Sequence, residues 1–222
     1  MKSILQKSVN SKSKRLIDIA TGALGIMLFS IIIFLTAIFI YITMGRPIFF
    51  VQTRPGLNEK LFKLWKFRTM KTPINGEEWL FSDGDRITPI GKIIRKYSID
   101  ELPQFWNLLK GDLSLVGPRP LLKEYLPVYT KRQRHRHDVK PGITGWAQIN
   151  GRNKLSLSER RELDVWYVEN WSIALDIKII FKTMGQVITG KDVVVVSKMS
   201  SVDDQGFEDA LSKKYWSKKN DN

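Results

Sequence analysis

The run "IATGALGIMLFSIIIFLTAIFIYITMG", from Ile19 to Gly45, contains no charged residue over 27 consecutive positions. As an α-helix it would extend roughly 40 Å, which is enough to cross the hydrocarbon core of a bilayer. A secretory signal peptide has an apolar region of only about 7–15 residues, followed by a small-residue cleavage site. The run is too long for such a signal, so we expect a helix embedded in a membrane.

Basic residues flank the run on both sides. Those before it are Lys2, Lys7, Lys12, Lys14 and Arg15, and those after it are Arg46, Arg54, Lys60, Lys63, Lys66, Arg68 and Lys71. Positive flanks favour the cytoplasmic side of a membrane, and a straight crossing satisfies this rule at one end only. We therefore predict a re-entrant helix with both ends on the cytoplasmic face. The expected bend lies near Ser30, whose hydroxyl can bond a preceding carbonyl, or near Gly22 and Gly25.

The charge balance of the chain favours a polyanionic partner. A formal charge of +14 and a pI near 9.9 suit nucleic acid, an anionic membrane face or a phosphorylated substrate. The absence of cysteine excludes disulfides and thiolate metal sites and favours a reducing compartment. The length of 222 residues predicts three parts: a basic N-terminus with the membrane helix over 1–46, one catalytic domain over 47–190, and a tail over 191–222 without an assigned function.

A β-hairpin is predicted directly after the membrane helix. In "IFFVQTRPGLNEKLFKLWKFRTM" two apolar and aromatic runs surround a turn sequence, which predicts strands near 48–53 and 61–68. The second strand alternates cations with rings. Such a strand is more often a half-buried edge with solvated lysines, and the alternative is a phosphate-facing wall that includes Lys66. Residues 71–89 are rich in turn-forming types and are expected to form a mobile loop.

The stretch "SIDELPQFWN" places two carboxylates, Asp100 and Glu101, close to a proline. Because Pro103 is accepted only in the first turn of a helix, a helix is expected to begin near 98–100 and to end at Gly111. In the simpler interpretation both acids complement the helix dipole, and Ser98 and Glu101 form a capping box. Taken alone, the two acids favour this interpretation.

Two arginines near the acids favour chemistry instead. Arg95 lies just upstream, and Arg119 is held between Pro118 and Pro120 in "GPRP". Each proline fixes its own φ and pushes the preceding residue to an extended conformation, so the guanidinium of Arg119 is presented from a rigid loop. A rigid guanidinium suits bidentate phosphate binding. Two acids, two arginines and a lipid anchor together indicate phosphoryl transfer at a membrane.

From about Lys14 to Gly190 the chain resembles the bacterial sugar transferase family, namely its small monotopic, PglC-like phosphoglycosyl transferases. The segments that carry the resemblance are "KRLIDIA", "RPGLNEKLFKLWKFRTM", "GKIIRKYSIDELPQFWNLLKGDLSLVGPRPLLKEY", "VKPGITGWAQINGRN" and "ELDVWYVENWSIALDIKII". The resemblance implies transfer of a sugar phosphate from a UDP-sugar to undecaprenyl phosphate, with release of UMP and with Mg²⁺ as cofactor. It also implies the cytoplasmic face of the bacterial inner membrane as the location, with an N-acetylated hexose as the first guess for the sugar.

The resemblance also assigns roles to individual residues. It implies that Asp100 is a nucleophile that forms a phosphosugar intermediate and that Glu101 is its acidic partner, both at the metal. The phosphate and nucleotide-sugar contacts it implies, together with our own candidates, are Lys66, Arg95, Pro118, Arg119 and Arg152. One departure concerns the helix break: the family commonly has Ser-Pro there, whereas Ser30 is followed by Ile31.

Three further segments lead to separate expectations. In "ALDIKIIFKTMGQVITG" an apolar helical stripe, Ile177, Ile180, Phe181, Met184, Val187 and Ile188, is equally compatible with core packing and with a membrane interface. "KRQRHRHD", at 131–138, is typical of a solvated helix end, and near a bilayer it could hold anionic headgroups. "PGITGWAQINGRN" predicts a shaped loop in which Trp146 packs more often than it stacks on a base.

The sequence as a whole predicts an α+β, helix-dominated monotopic membrane protein with a β-hairpin and amphipathic surface helices. Its expected partners are a UDP-sugar, undecaprenyl phosphate and anionic lipids, and a homodimer is left open. The competing function is a non-enzymatic membrane adaptor whose basic surface binds anionic lipid or RNA. The sequence has no RNA-recognition strand motif and no helix-turn-helix pattern, so we expect no nucleic-acid partner.

Overall fold

The computed structural model describes residues 11–71, 87–151 and 155–189. Its helices are α1 (Lys12–Met44), α2 (Pro89–Lys96), α3 (Gln104–Lys110), α4 (Trp146–Ile149), α5 (Leu157–Glu169) and α6 (Ile173–Thr189). Its strands are β1 (Phe49–Pro55), β2 (Leu61–Phe67), β3 (Ser114–Val116) and β4 (Gly142–Thr144), and short 3-10 turns cover Leu57–Glu59, Ile99–Glu101, Lys123–Val128 and Gln133–His137. The described residues thus confirm the predicted helix-dominated α+β class.

Helix α1 contains the uncharged run and extends beyond its N-terminal end. Ser11 caps the start by accepting from the amide of Lys14, and Gly45 ends the helix with φ of 68°, a left-handed value that suits glycine. Arg68, directly after β2, donates to carbonyl oxygens at the C-terminal end of α1, those of Gly45 and Arg46 among them. A helix C-terminus favours a cation at this place. Among the described residues, α1 is the helix long and apolar enough to span a membrane.

The expected bend in α1 does not interrupt the helix. Helical structure continues through Gly22, Gly25 and Ser30. The Ser30 hydroxyl donates to the Met27 carbonyl across 2.9 Å, as expected, but this contact leaves the helical hydrogen bonding unbroken. The helix is therefore continuous at all three expected positions, and a bend without a break, together with the re-entrant path that depends on it, stays a prediction.

One face of α1 packs against the rest of the protein over both halves of the helix. In the N-terminal half, Gly22 lies against Leu109 and Gly25 against Phe105, both on α3. In the C-terminal half, Ile40 is fully buried in a cluster with Phe67 and Ile94. The opposite face carries large exposed apolar side chains, which include Leu24, Leu28, Ile31, Leu35, Phe39 and Ile42. Helix α1 is therefore part of the core on one side and apolar surface on the other.

The predicted hairpin is present, with boundaries within two residues of those expected. Strands β1 and β2 pair antiparallel, with Phe49 opposite Phe67 and Pro55 opposite Leu61. The turn between them is closed by the amide of Gly56, which donates to the carbonyl of Lys60 (2.9 Å). Leu64 and Phe67 of β2 are buried in two separate core clusters, one on each face of the strand. Most of the loop predicted at 71–89 lies outside the described residues. Near the end of that range, Thr88 caps α2 through its hydroxyl.

A second, parallel pair of strands was not predicted. Strand β3 pairs with β4, so that Ser114 lies opposite Gly142 and Val116 opposite Thr144. Gly117, directly after β3, and Gly142, the first residue of β4, lie very close together. A Cβ at Gly142 would lie 2.1 Å from the amide nitrogen of Gly117. Only glycine permits this contact, which fixes the "GPRP" segment against the "PGITG" segment.

Helices α5 and α6 cover the parallel strands. Their core contains Val116, Val139, Ile149, Tyr167 and Ile179, and Trp146 packs beside it, stacked on Trp166 with a centroid separation of 4.8 Å. Packing rather than base stacking is therefore the observed role of Trp146. Helix α6 packs on the core through Ile179 and Ile180, as one of the two alternatives expected. A stripe on its other side is exposed, namely Ile173, Ile177, Phe181, Met184 and Ile188, and its contact with a membrane stays a prediction.

Candidate functional site

The turn between α2 and α3 carries the two adjacent acids. Helix α2 ends at Lys96, Ser98 adopts a left-handed conformation with φ of 56°, and Ile99–Glu101 form a 3-10 turn. Pro103 then caps α3, which begins at Gln104 and ends before Gly111. The helix therefore starts later than predicted. Because Ser98 makes no capping hydrogen bond, the expected capping box is absent and both acids are free for other contacts.

Glu101 is held by two cations from separate parts of the chain. Its Oε1 atom lies 2.8 Å from Lys66 Nζ of β2 and 2.7 Å from Arg119 Nη2 of the "GPRP" segment. Burial would raise the pKa of Glu101, but the adjacent Arg119 and Lys66 outweigh that effect and hold the pKa well below its usual range. Glu101 is therefore ionised and locked in place, which is not the behaviour of a residue that only complements a helix dipole.

Asp100 lies beside this ion cluster, and among the described residues it has no ion pair as close as those of Glu101. Only 9% of the residue is exposed, and its Oδ2 atom is 4.0 Å from Lys66 Nζ. Burial raises the pKa of Asp100, with Lys66 acting against that shift and the neighbouring Glu101 adding to it. The two adjacent acids thus differ in character: Glu101 is neutralised by salt bridges, whereas Asp100 is a buried carboxylate near cations.

The side chain of Arg119 is partly exposed while it bonds Glu101. Its exposed fraction is 43%, and one guanidinium nitrogen, Nη2, donates to Glu101 Oε1. The flanking Pro118 is buried, and its carbonyl accepts from the amide of Gly142 (2.9 Å), which ties the loop to β4. The predicted rigidity of this loop therefore has two sources, the prolines themselves and the contact with β4.

The remaining sequence-predicted residues fall into two groups. Arg95 lies near the acids, where its charge lowers the pKa of Asp100, and its Nε atom donates to Thr69 Oγ1 across 2.9 Å. Lys66 lies 2.8 Å from Glu101 and 4.0 Å from Asp100, so it is not a solvated edge residue, and its contact with a phosphate stays a prediction. Arg152 lies outside the described residues. The structure thus brings together Lys66, Arg95, Asp100, Glu101 and Arg119.

Sequence reasoning missed a second layer of charge behind Arg119. Arg136 and Asp164 are both 2% exposed and form an ion pair of 2.6 Å, although "KRQRHRHD" was expected to be a solvated helix end. That prediction is wrong for Gln133, Arg136 and His137, which are buried. Arg54 on β1 was also missed; burial and the proximity of Arg119 lower its pKa to about 10. In a run of alternating basic residues no pattern distinguishes a buried arginine from a solvated one.

The two acids have the chemistry that Mg²⁺ requires, but they do not form a complete metal site. Mg²⁺ is usually held by one or two carboxylates together with substrate phosphates and water. Asp100 and Glu101 supply such oxygens, although Oε1 of Glu101 is already shared by Lys66 and Arg119. The described residues contain no group of three or more His, Cys, Asp or Glu side chains able to hold a metal ion. The donors thus fit a magnesium ion that is shared with a bound diphosphate.

Comparison with known proteins identifies relatives over most of the chain. A family model described as bacterial sugar transferase matches residues 9–190. The chain is 53% identical over 180 residues to the uncharacterized sugar transferase EpsL of Bacillus subtilis (strain 168), a match that covers 81% of this chain and 89% of EpsL. This relative is similar in length as well as in sequence.

Two further relatives have names that state a reaction. The UDP-N-acetylgalactosamine-undecaprenyl-phosphate N-acetylgalactosaminephosphotransferase of Aeromonas hydrophila is 39% identical, over 85% of this chain and 46% of its own length. The UDP-glucose:undecaprenyl-phosphate glucose-1-phosphate transferase of Escherichia coli (strain K12) is 40% identical, over 79% of this chain and 40% of its own length. The chain therefore spans less than half of each of these two proteins.

Proposed function

Because the chain belongs to the bacterial sugar transferase family, we propose that it transfers a sugar 1-phosphate from a UDP-sugar to undecaprenyl phosphate and releases UMP. The observation that carries this proposal is the contrast between the two adjacent acids. Glu101 is held by Lys66 and Arg119, whereas the nearest cation to Asp100 among the described residues is Lys66, at 4.0 Å. A buried carboxylate next to fixed cations suits attack on a phosphate that those cations attract.

The reaction proceeds in two displacements at one phosphorus atom. A carboxylate oxygen of Asp100 attacks the β-phosphorus, the bond from that phosphorus to the bridging oxygen breaks, and UMP leaves with the electron pair. An oxygen of undecaprenyl phosphate then attacks the same phosphorus, and the Asp100 carboxylate is released unchanged. Two steps avoid bringing two phosphorylated substrates, which repel each other, into the site together.

The cations around Asp100 supply the electrostatic part of catalysis. Arg119 is partly exposed and uses Nη2 for Glu101, so its other guanidinium donors are the ones we assign to the diphosphate. Lys66 lies close to both acids, where its charge stabilises negative charge that develops on the reacting phosphate. Bound Mg²⁺ would neutralise charge on the diphosphate, with Asp100 and Glu101 as its protein ligands. Glu101, ionised by its two salt bridges, keeps Lys66 and Arg119 in place for each turnover.

The position of the site relative to α1 suits a lipid substrate. Ile99, the residue before Asp100, packs in the cluster that contains Ile40 of α1. The apolar outer face of α1 and the exposed stripe of α6 suit contact with acyl chains. We place the protein on the cytoplasmic face of the inner membrane, with the reactive carboxylate near the polar headgroups.

Release of UMP in the absence of lipid tests this function. Incubation of the detergent-purified enzyme with Mg²⁺ and a panel of UDP-sugars should release close to one UMP per enzyme from the correct donor. Asp100→Asn should abolish this release, because an amide is not a nucleophile, while leaving the protein folded. Glu59→Gln is the matched control and should release UMP normally. Glu59 lies on the hairpin turn, and its carboxylate pairs with Arg134.

Two outcomes would contradict the proposal in different ways. UMP release that requires undecaprenyl phosphate, together with intersecting double-reciprocal lines, would favour a ternary complex in which Asp100 acts as a base or a metal ligand. No UMP release from any donor, with or without lipid, would favour the membrane adaptor. The N-acetylated hexose remains our proposal for the sugar, and the donor panel decides it.

A further inference from the structure

Arg136 is a fully buried arginine close to the candidate site but not in it. It lies on the 3-10 turn Gln133–His137, and only 2% of the residue is exposed. Its Nε and Nη2 atoms both donate to Asp164 Oδ2, at 3.1 and 2.6 Å, and its Nη1 atom donates to the hydroxyl of Tyr129 at 3.1 Å. Nη2 also donates to the main-chain carbonyl of Arg119, at 2.6 Å.

A buried ion pair of this kind is weak evidence for a purely stabilising role. Removing a guanidinium from water is costly, and packed apolar side chains of the same volume often stabilise a core equally well. Asp164 alone would compensate the charge of Arg136. An apolar replacement could not reproduce the hydrogen bonds to the Tyr129 hydroxyl and to the carbonyl of Arg119, and of these two the bond to Arg119 leads to the candidate site.

Arg119 is held at both of its ends. Its guanidinium donates to Glu101 at 2.7 Å, and its carbonyl accepts from Arg136 at 2.6 Å. Pro120 restricts ψ of Arg119 to an extended window about 40° wide, which does not fix a single orientation of the peptide. The hydrogen bond from Arg136 selects one orientation within that window, and with it the direction in which the long side chain leaves the backbone.

Resting on the function proposed above, we propose that Arg136 is a positioning residue for Arg119. By holding the Arg119 carbonyl, it directs the Arg119 guanidinium toward Glu101 and toward the diphosphate of the nucleotide-sugar. Asp164 and Tyr129 in turn hold the Arg136 guanidinium in its orientation.

The surroundings of Arg136 favour a fixed geometry. The Tyr129 ring lies against Arg136, with 5.6 Å between guanidinium carbon and ring centroid, and against Arg161, with 5.1 Å. His137 is also stacked on the Tyr129 ring, with 5.5 Å between the ring centroids. A lysine could keep the ion pair with Asp164, but its single ammonium group cannot reproduce the planar fork that serves Asp164, Tyr129 and the Arg119 carbonyl together.

Arg136→Lys measured in two backgrounds tests the proposal. In the otherwise unchanged protein it should weaken the binding of UDP and slow the single-turnover release of UMP at least tenfold, while the unfolding temperature changes little. In an Arg119→Ala background the same change should alter UDP binding less than twofold, because the group that Arg136 positions is gone. Arg134→Lys is the matched control, since Arg134 is exposed and pairs with Glu59, and it should have no effect in either background.

Each other outcome counts against the proposal. An equal loss in both backgrounds would show that Arg136 supports the fold as a whole, and a folded variant with normal UDP binding would show that Arg119 needs no such support. If Arg136→Lys does not fold, Tyr129→Phe decides: it should cause a smaller loss of UDP binding that also depends on Arg119, and no loss would refute the proposal. A wild-type protein that releases no UMP refutes the function and this inference together, whereas normal wild-type turnover with an unaffected Arg136→Lys variant refutes the inference alone.

Discussion

The guanidinium of Arg119 donates to Glu101 Oε1 across 2.7 Å and so joins the proline-flanked loop to the turn that carries both acids. In the sequence, Glu101 precedes α3 and Arg119 follows β3. Lys66 contacts the same carboxylate oxygen, and among the described residues Asp100 has no ion pair closer than 4.0 Å. This difference between the two acids is the basis of the separate roles that we propose for them.

Replacing Arg119 with lysine should lower kcat/KM by more than tenfold, which is about 1.4 kcal/mol of transition-state stabilisation. Lysine keeps the positive charge but cannot contact Glu101 and a phosphate with one planar group. Arg132→Lys is the control, because Arg132 forms exposed ion pairs with Glu162 and Glu169, which contribute little. Near-normal turnover of Arg119→Lys would show that Arg119 has only a structural role in the turn.

The acid limb of the pH–rate profile should reflect the raised pKa of Asp100. A nucleophilic carboxylate must be ionised, so kcat/KM should fall as the pH decreases through that pKa. Lys66 lowers the pKa of Asp100, and Lys66→Gln should therefore move the acid limb to higher pH. Lys63→Gln, on the same strand, should leave the limb in place. A limb that is unchanged or moves to lower pH in Lys66→Gln would argue against Asp100 as the titrating group.

Gly25→Ala should destabilise the protein through the packing of α1 on α3. An added Cβ would lie 2.6 Å from the Phe105 ring, so the ring or the helix must move, at a cost of about 1–3 kcal/mol. Gly185→Ala on α6 is the control: its Cβ would meet no atom within 4 Å, and alanine favours a helix by about 1 kcal/mol. Chemical unfolding in detergent should therefore show opposite signs for the two variants, and equal effects would contradict the close contact of α1 with α3.

The membrane arrangement can be tested with single cysteines, since the natural chain has none. Leu5→Cys and Lys60→Cys should both be protected from a membrane-impermeant thiol reagent in intact cells and both react after lysis. Labelling at position 5 alone in intact cells would show a straight crossing and would overturn the monotopic arrangement that we propose.

The sequence predicted those features that depend on local chemistry. The β1–β2 hairpin followed from alternating apolar residues on either side of a turn, and the rigidity of Arg119 followed from its flanking prolines. The late start of α3 was missed because the left-handed conformation of Ser98 depends on its surroundings, and β3 and β4 are too short, at three residues each, to show a period.

Contacts between distant parts of the chain were beyond sequence reasoning. Lys66 and Glu101 are 35 positions apart, and nothing in either segment indicates that they meet. The burial of Arg136 depends on Asp164 of α5, which supplies its counter-charge. In both cases the tertiary fold, rather than local propensity, decides which charged side chains leave the solvent.

The packing of α1 along both of its halves means that the hydrophobic segment is not an exchangeable tether. Its removal would uncover Phe67, Ile94 and Phe105, which are now covered by Ile40 and Gly25. A truncated catalytic domain would consequently aggregate rather than stay in solution, and a generic transmembrane helix grafted in its place would lack the small residues that admit α3. Helix α1 and the residues beneath it should therefore unfold as one cooperative unit, so that the hydrophobic segment sets the stability of the domain it covers.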